Sequence, residues 1–212
     1  MATIFRDWSY KYQWLYDGIS RLAALTVGGE TRFRQLALQG LIINQNTQIL
    51  DLCCGSGQAT NFLVQHSQNV IGLDASPRSI NRAKKNVPSA RYVEAFAEDM
   101  PFSNNQFDLV HTSAALHEMN PEQLRQILQE VYRILQPGGI FTFVDFHSPT
   151  NPLFWPGIAI FFWLFETETC WNFINTNILE LLKEIGFNLV DNESPKTVLY
   201  AGGSLQVVQV KK

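Results

Sequence analysis

Two carboxylates and a glycine turn stand at a spacing that suits nucleoside binding. Asp51-Leu52-Cys53-Cys54-Gly55-Ser56-Gly57 places an acid just before a Gly-x-Gly loop, and Asp74 follows some 20 residues later. Glycines permit a tight turn and let backbone approach a ligand closely. An acid at the second position is placed to hold ribose hydroxyls. Two histidines, His117 and His147, add side chains whose intrinsic pKa suits proton transfer near neutrality. His111 and His66 have weaker claims.

These residues need a scaffold, and the chain supplies one by alternation. Gln48–Leu52 is a short apolar strand entering the loop, and Ala59–Gln65 reads as a helix. Val70–Asp74 is a second strand ending in its carboxylate. Ser76 and Pro77 suit the N-cap and first position of a helix through Lys85. Ala90–Glu94 and Phe107–His111 are further strands. Pro121–Leu135 carries Leu124, Ile127, Leu128, Val131 and Leu135 at the spacing of one helical face, and Gln136-Pro137-Gly138-Gly139 is expected to stop it. Ile140–Phe146 is a fifth strand, and Ile178–Ile185 a helix closed by Gly186. Two strands follow, around Phe187–Asp191 and Leu205–Val210, with no helix between them. The order predicts an α/β fold of the Rossmann-like, doubly wound kind: a seven-stranded, mostly parallel sheet, a C-terminal antiparallel hairpin, and helices on both faces. In such sheets ligands bind outside the carboxyl ends of the strands.

A nicotinamide dinucleotide is the first rival ligand, and two residues count against it. The third glycine of G-x-G-x-x-G is replaced by Thr60, and Asp51 at the loop entrance would repel a pyrophosphate. A nucleoside joined to an amino acid, without phosphate, fits better, which describes S-adenosylmethionine. A catalytically inactive S-adenosylmethionine-binding interaction module stays open as an alternative, although the intact Asp51, Gly55, Gly57 and Asp74 weigh against it.

Residues 49–60, ILDLCCGSGQAT, resemble the first motif of class I S-adenosylmethionine-dependent methyltransferases, and residues 70–76, VIGLDAS, resemble the second. Residues 97–110, AEDMPFSNNQFDLV, are similar to the third and fourth, and residues 116–139 to the stretch beyond them. More narrowly, Val144-Asp145-Phe146-His147-Ser148-Pro149, Asn151-Pro152-Leu153, the ending from Leu199 and the aromatic start around Trp14-Leu15-Tyr16-Asp17 resemble the ubiquinone/menaquinone biosynthesis C-methyltransferases. The resemblance implies that Asp51, Gly55, Ser56 and Gly57 surround the methionyl part of the cofactor and that Asp74, beside Ala75, holds the ribose. It implies that Phe96 and Ala97 meet the adenine and that Ser113 contacts the cofactor. Phe96 replaces a polar residue of the family and cannot accept a hydrogen bond from the adenine amine, so it is expected to pack against the ring instead. His117-Glu118 stands where the family has Arg-Asn, which bears on the identity of the acceptor.

Methyl transfer from a sulfonium mainly needs alignment and dryness. A quinol carbon becomes nucleophilic when its neighbouring hydroxyl loses a proton, for which His117 is the first candidate base and His147 the second. Residues 153–165, LFWPGIAIFFWLF, are the substrate clue: too short to span a bilayer, they are either a buried core helix, a lid for a hydrophobic acceptor or a surface dipping into a membrane face.

The 212 residues fit one domain: 1–45 as an N-terminal helical lid, 46–146 as the cofactor core, 147–212 as the acceptor-capping segment and last strands. A net charge of −3 argues against general nucleic-acid binding. Three cysteines, two of them adjacent, suit a reducing compartment such as cytoplasm rather than a disulfide framework. No metal site is expected, and no stable protein partner is implied. A small, hydrophobic substrate and peripheral membrane contact through 153–165 are the expected partners.

Overall fold

Near-continuous apolar runs form the middle of the sheet, as strands covered on both faces require. The computed structural model describes residues 24–189 and 196–212; the aromatic N-terminal segment that sequence reads as helical lies outside them, as do residues 190–195. Strands β1 (Gln48–Leu52), β2 (Asn69–Asp74), β3 (Arg91–Glu94), β4 (Phe107–Ser113) and β5 (Leu135–Phe146) pair in parallel in the order β3-β2-β1-β4-β5. The last strand, β8 (Leu205–Lys211), inserts antiparallel beside β5, with Phe146 opposite Leu205 and Ile140 opposite Lys211.

The outer edge departs from expectation. It is one position in the sheet but two pieces of chain, β6 (Asn188–Leu189) and β7 (Lys196–Tyr200), both antiparallel to β8. Among the described residues the sheet therefore has eight strands in seven positions, the number of positions expected. The C-terminal antiparallel hairpin is made chiefly by β7 and β8, and β7 is additional to the two strands that the sequence pattern predicts. Its turn is Ala201–Gly203, where Gly202 and Gly203 both take positive φ.

Side-chain alternation divides the core. Leu50, Leu52, Val110, Phe141 and Phe143 join a large cluster, while Ile49, Val70 and Leu109 face a separate one. The large cluster is closed by α4 (Pro121–Ile134), α6 (Glu168–Asn175) and α7 (Ile178–Ile185). Helix α4 begins with a full capping box, Asn120 with Gln123, and Pro121 at its first turn. Leu124, Ile127, Leu128, Val131 and Ile134 are all buried along one face, each stabilising the fold by about 1.5–3 kcal/mol. The helix then runs straight into β5: strand pairing begins at Leu135, opposite Phe107, so Gln136-Pro137-Gly138-Gly139 lies within the strand instead of before it. The register shifts between Phe107 and Leu109, and a Cβ on Gly139 would stand 2.9 Å from the Gln136 carbonyl. The opposite face is covered by α1 (Glu30–Gln35), the 3-10 turn Leu36–Leu38 and α2 (Thr60–Leu63).

Helix α3 (Pro77–Asn86) starts as read: Ser76 caps it by accepting from the Ser79 N–H. Gly186, at φ 115, closes α7. The apolar segment forms a 3-10 turn, Pro152–Phe154, and then α5 (Trp155–Phe165). Only Phe162 of this helix is fully buried, wedged against Phe146 and Trp171. Trp163 is 72% exposed and Ile160 59%, and Leu153 just before is 85% exposed, so the reading of this segment as a core helix gives way to an apolar surface. Among the described residues no helix is long and apolar enough to cross a membrane.

Candidate active site

The carboxyl ends of β1, β2 and β4 open on a cavity of about 530 Å³, within the range of small-molecule sites. Its floor is the glycine loop. Gly55 and Gly57 have φ 55 and 87, and Cys53, which is not glycine, has φ 55. A second non-glycine residue with positive φ, Ala114 at φ 54, lies at the end of β4. Both strained residues line the cavity, as backbone strain at ligand sites often does. Helix α3 braces the loop from behind: Asn86 donates its amide to the Ser56 carbonyl at 2.9 Å. A Cβ on Gly57 would touch Ala83 and Val87 of that helix.

Asp74 is tied to the loop that it faces. Its two oxygens accept from the Gly55 and Ser76 N–H groups, each at 2.9 Å. A carboxylate oxygen has a second lone pair, so both can still accept from hydroxyls. Asp51 is held differently. It is buried, accepting from the Thr60 hydroxyl at 2.5 Å and lying 3.0 Å from His111 Nδ1. The residue that breaks the dinucleotide glycine pattern, Thr60, is therefore the one that orients Asp51.

Arg34 is a site residue that sequence reasoning missed. It projects from α1, is buried, lines the cavity and donates from Nη1 to Ser113 Oγ at 3.0 Å. The sequence offers Arg32 and Arg34 on either side of Phe33, with nothing to say which turns inward. Ser113, expected to meet the cofactor, has its hydroxyl engaged by this arginine.

Beyond β4 the chemistry changes. Asp145, at the end of β5, accepts from the N–H groups of Ala115, Leu116 and His117 on Oδ2 and from Phe146 on Oδ1. His117 Nδ1 lies 2.6 Å from Asp145 Oδ1, and its Nε2 lies 3.4 Å from Glu166 Oε2, at the end of α5. Burial is the largest single influence on the imidazole and favours the neutral ring. The charges and hydrogen bonds of Asp145 and Glu166 together outweigh it and hold the pKa well above its usual value. A protonated ring with both nitrogens facing carboxylates has no lone pair to offer, and His117 does not line the cavity. Its two nitrogens thus face carboxylates, away from the place where a base would meet an acceptor in the cavity. Glu118, next in sequence, does line the cavity.

His147 sits at the end of β5 with Nδ1 2.9 Å from the Gly203 carbonyl. That nitrogen must carry hydrogen, which makes Nε2 the acceptor in the neutral ring. His147 lies outside the cavity lining. Of the other expected residues, the fold brings Asp51, Gly55, Ser56, Asp74, Ala75 and Ser113 onto one cavity. Gly57, Phe96 and Ala97 are not part of that lining. Ala97 is buried and Phe96 is 65% exposed, just beyond β3 at the same edge of the sheet. The Cys53 thiol is raised by burial and then by Asp74 and Glu118, which removes it as a nucleophile.

Comparison with known proteins agrees with this architecture. Residues 49–139 match the family model described as a methyltransferase domain. The chain is 58% identical over 211 residues to an uncharacterized methyltransferase of Synechocystis, across 100% of this chain and 97% of that protein. It is 28% identical over 201 residues to a demethylmenaquinone methyltransferase of Lactobacillus johnsonii, across 82% and 81% of the two chains. An S-adenosylmethionine-dependent methyltransferase from Mesorhizobium loti has the same fold at a TM-score of 0.62 and 19% identity, covering 88% of this chain and all of that one. The protein belongs to the class I S-adenosylmethionine-dependent methyltransferases, and resembles those of ubiquinone and menaquinone biosynthesis.

Proposed function

We propose that the protein methylates a ring carbon of a small lipophilic quinol, taken up at a membrane face from the cytoplasmic side. The observation that carries this reading is α5, an apolar helix with Trp163 72% and Ile160 59% exposed. It ends at Glu166, which faces His117 beside the cavity. Scattered exposed apolar residues are ordinary, but a contiguous run of them marks an interaction surface. The demethylmenaquinone methyltransferase relative points to the same acceptor chemistry.

The cavity suits the cofactor by its donor set. S-adenosylmethionine supplies a methyl group already activated on a sulfonium. Asp74, with a spare lone pair on each oxygen, holds the two ribose hydroxyls. Asp51 supplies negative charge for the ammonium, and Arg34 a guanidinium for the carboxylate. Gly55 and Ser56 let the backbone approach, with Gly57 setting the loop against α3. Ala75 borders the ribose, and Ala97 and Phe96 border the adenine, with the exposed Phe96 ring closing over it. Ser113 acts through Arg34. Residues 24–45, 147–189 and 196–212 then wall the acceptor side, as lid and cap. Orientation and exclusion of water contribute about 7–11 kcal/mol to such a transfer.

The test is turnover of reduced demethylmenaquinone with radiolabelled methyl donor, against the same ring without its prenyl chain. Preference for the prenylated quinol by tenfold or more is the expected result. Equal turnover of the two would remove the lipophilic assignment, and no methylation of either would remove the quinol.

A further inference from the structure

His117 and Glu118 are neighbours on the 3-10 turn Leu116–Glu118, yet they face opposite ways. His117 turns inward to Asp145 and Glu166. Glu118 turns to the cavity. Strand order says which end of the cavity it reaches. Asp74, at the end of β2, marks the nucleoside end; β1 and then β4 come next across the sheet. The turn carrying Glu118 follows β4, so Glu118 stands at the far end from Asp74, where the methyl must leave and the acceptor must enter. Glu118 lines the same cavity as Cys53 of the glycine loop, and the turn that carries it packs against α6. Among charged and titratable groups, Arg34, Cys53 and, at the other end, Asp74 share the cavity lining with it, and its charge also acts on Cys170 of α6.

We propose that Glu118 takes the hydroxyl proton of the acceptor, and that His117 is the positioning residue that fixes the turn from which Glu118 acts. The proposal rests on the quinol reading above. As the O–H bond breaks toward Glu118, the oxygen pair moves into the ring and the adjacent carbon forms its bond to the methyl. The bond from methyl to sulfur breaks with its pair left on sulfur. The hydrogen that the ring carbon carried then leaves as a proton to solvent, its bonding pair returns to the ring, and the oxygen takes back the proton held by Glu118, which restores the hydroquinone. Asp51 and Asp74 lie toward the donor end and both nitrogens of His117 face carboxylates, while Glu118 lines the cavity from the turn that follows β4.

Three measurements on the full chain decide it. Calorimetry with S-adenosylhomocysteine should show Glu118→Gln binding within threefold of the parent. Turnover of demethylmenaquinol should fall by about 10²–10⁴, with the residual rate climbing as pH rises and the quinol ionises unaided. Without methyl donor, tryptophan quenching should show the parent preferring 1,4-naphthohydroquinone over its dimethyl ether, and this preference should shrink about tenfold in Glu118→Gln, because a charge-assisted hydrogen bond becomes a neutral one. Glu118→Asp, which keeps the carboxylate, should retain more turnover than Glu118→Gln, and it decides the matter if the glutamine variant does not fold. For His117, the arginine variant keeps the cation and should keep turnover, while His117→Gln should lower kcat with little change in S-adenosylhomocysteine affinity.

Parent-like turnover by Glu118→Gln, an unchanged ether preference, or the same pH signature in His147→Gln instead would overturn the proposal. Those results leave the quinol reading standing if the parent methylates the probe. A parent that binds S-adenosylhomocysteine but leaves the quinol untouched removes both.

Discussion

The two ends of the cavity hold their carboxylates by opposite means. At the donor end, Asp74 and Asp51 are fixed by residues within 25 positions of one another, Asp51 to Ser76, apart from His111. Asp74 keeps unused lone pairs facing the cavity. At the acceptor end, Asp145 spends its capacity inward, on four backbone N–H groups and an imidazolium. That cluster joins residues 117, 145 and 166, from three separate elements. One end is a local motif that offers charge to a ligand. The other is a long-range lock that hides charge to hold a turn and a helix together.

The largest effect expected from breaking this contrast is at His117. Removing the ring as His117→Ala leaves two carboxylates facing each other in a buried site without their cation. Such a loss costs about 3–5 kcal/mol. Urea unfolding should show it, and a loss under about 1 kcal/mol would mean that the ring carries no charge there. The sign of the pH dependence follows from the raised pKa. Protonated His117 contributes its full stabilisation below the unfolded-state value of about 6.5, and loses it as pH rises through the folded-state value. The stability advantage of the parent over His117→Gln should therefore shrink from neutral toward alkaline pH. An advantage that grows with pH would reverse the assignment.

A smaller effect, confined to binding, is expected at the donor end. Asp74→Ala removes charge-assisted hydrogen bonds worth about 1.5–3 kcal/mol, a loss of roughly tenfold to 150-fold in S-adenosylmethionine affinity. Asp74 also ties the Gly55 and Ser76 N–H groups, so the variant loses some stability as well. Asp74→Asn separates the two, because it keeps an acceptor for one N–H but lacks the charge. Calorimetry should find the asparagine variant weakened in binding more than in unfolding. Unchanged affinity in both variants would take the ribose away from Asp74.

The same contrast explains what the sequence reveals. The glycine loop, the caps at Ser76 and Asn120 and the periodic face of α4 are local patterns, and each element formed close to where its pattern lies. The inward turn of Arg34 and the pairing of His117 with Asp145 and Glu166 are not local. They depend on how α1 and the end of α5 pack over the sheet, which no spacing in the chain reports. The edge strand misled for a related reason. Lys196–Tyr200 gains its strand character from pairing with β8, a contact that its own five residues do not announce. Phe96 shows a third case: its neighbourhood beyond β3 was legible, but its exposure was not.

The smallest stability effect, and the most selective, is expected at Trp163. The ring is 72% exposed on α5, so its replacement by glutamine removes little packing, and unfolding free energy should stay within about 0.5 kcal/mol of the parent. Binding to a lipid surface is another matter, because tryptophan favours the membrane interface with its apolar body and polar edge. Flotation with liposomes should carry the parent and leave most of Trp163→Gln behind, while methylation of a short-chain, water-soluble quinol is equal in both. A stability loss above about 2 kcal/mol would mean that the helix packs in solution against something its apolar face hides from water. Equal flotation of the two proteins would remove the membrane from the function and leave α5 as a wall of the acceptor side alone.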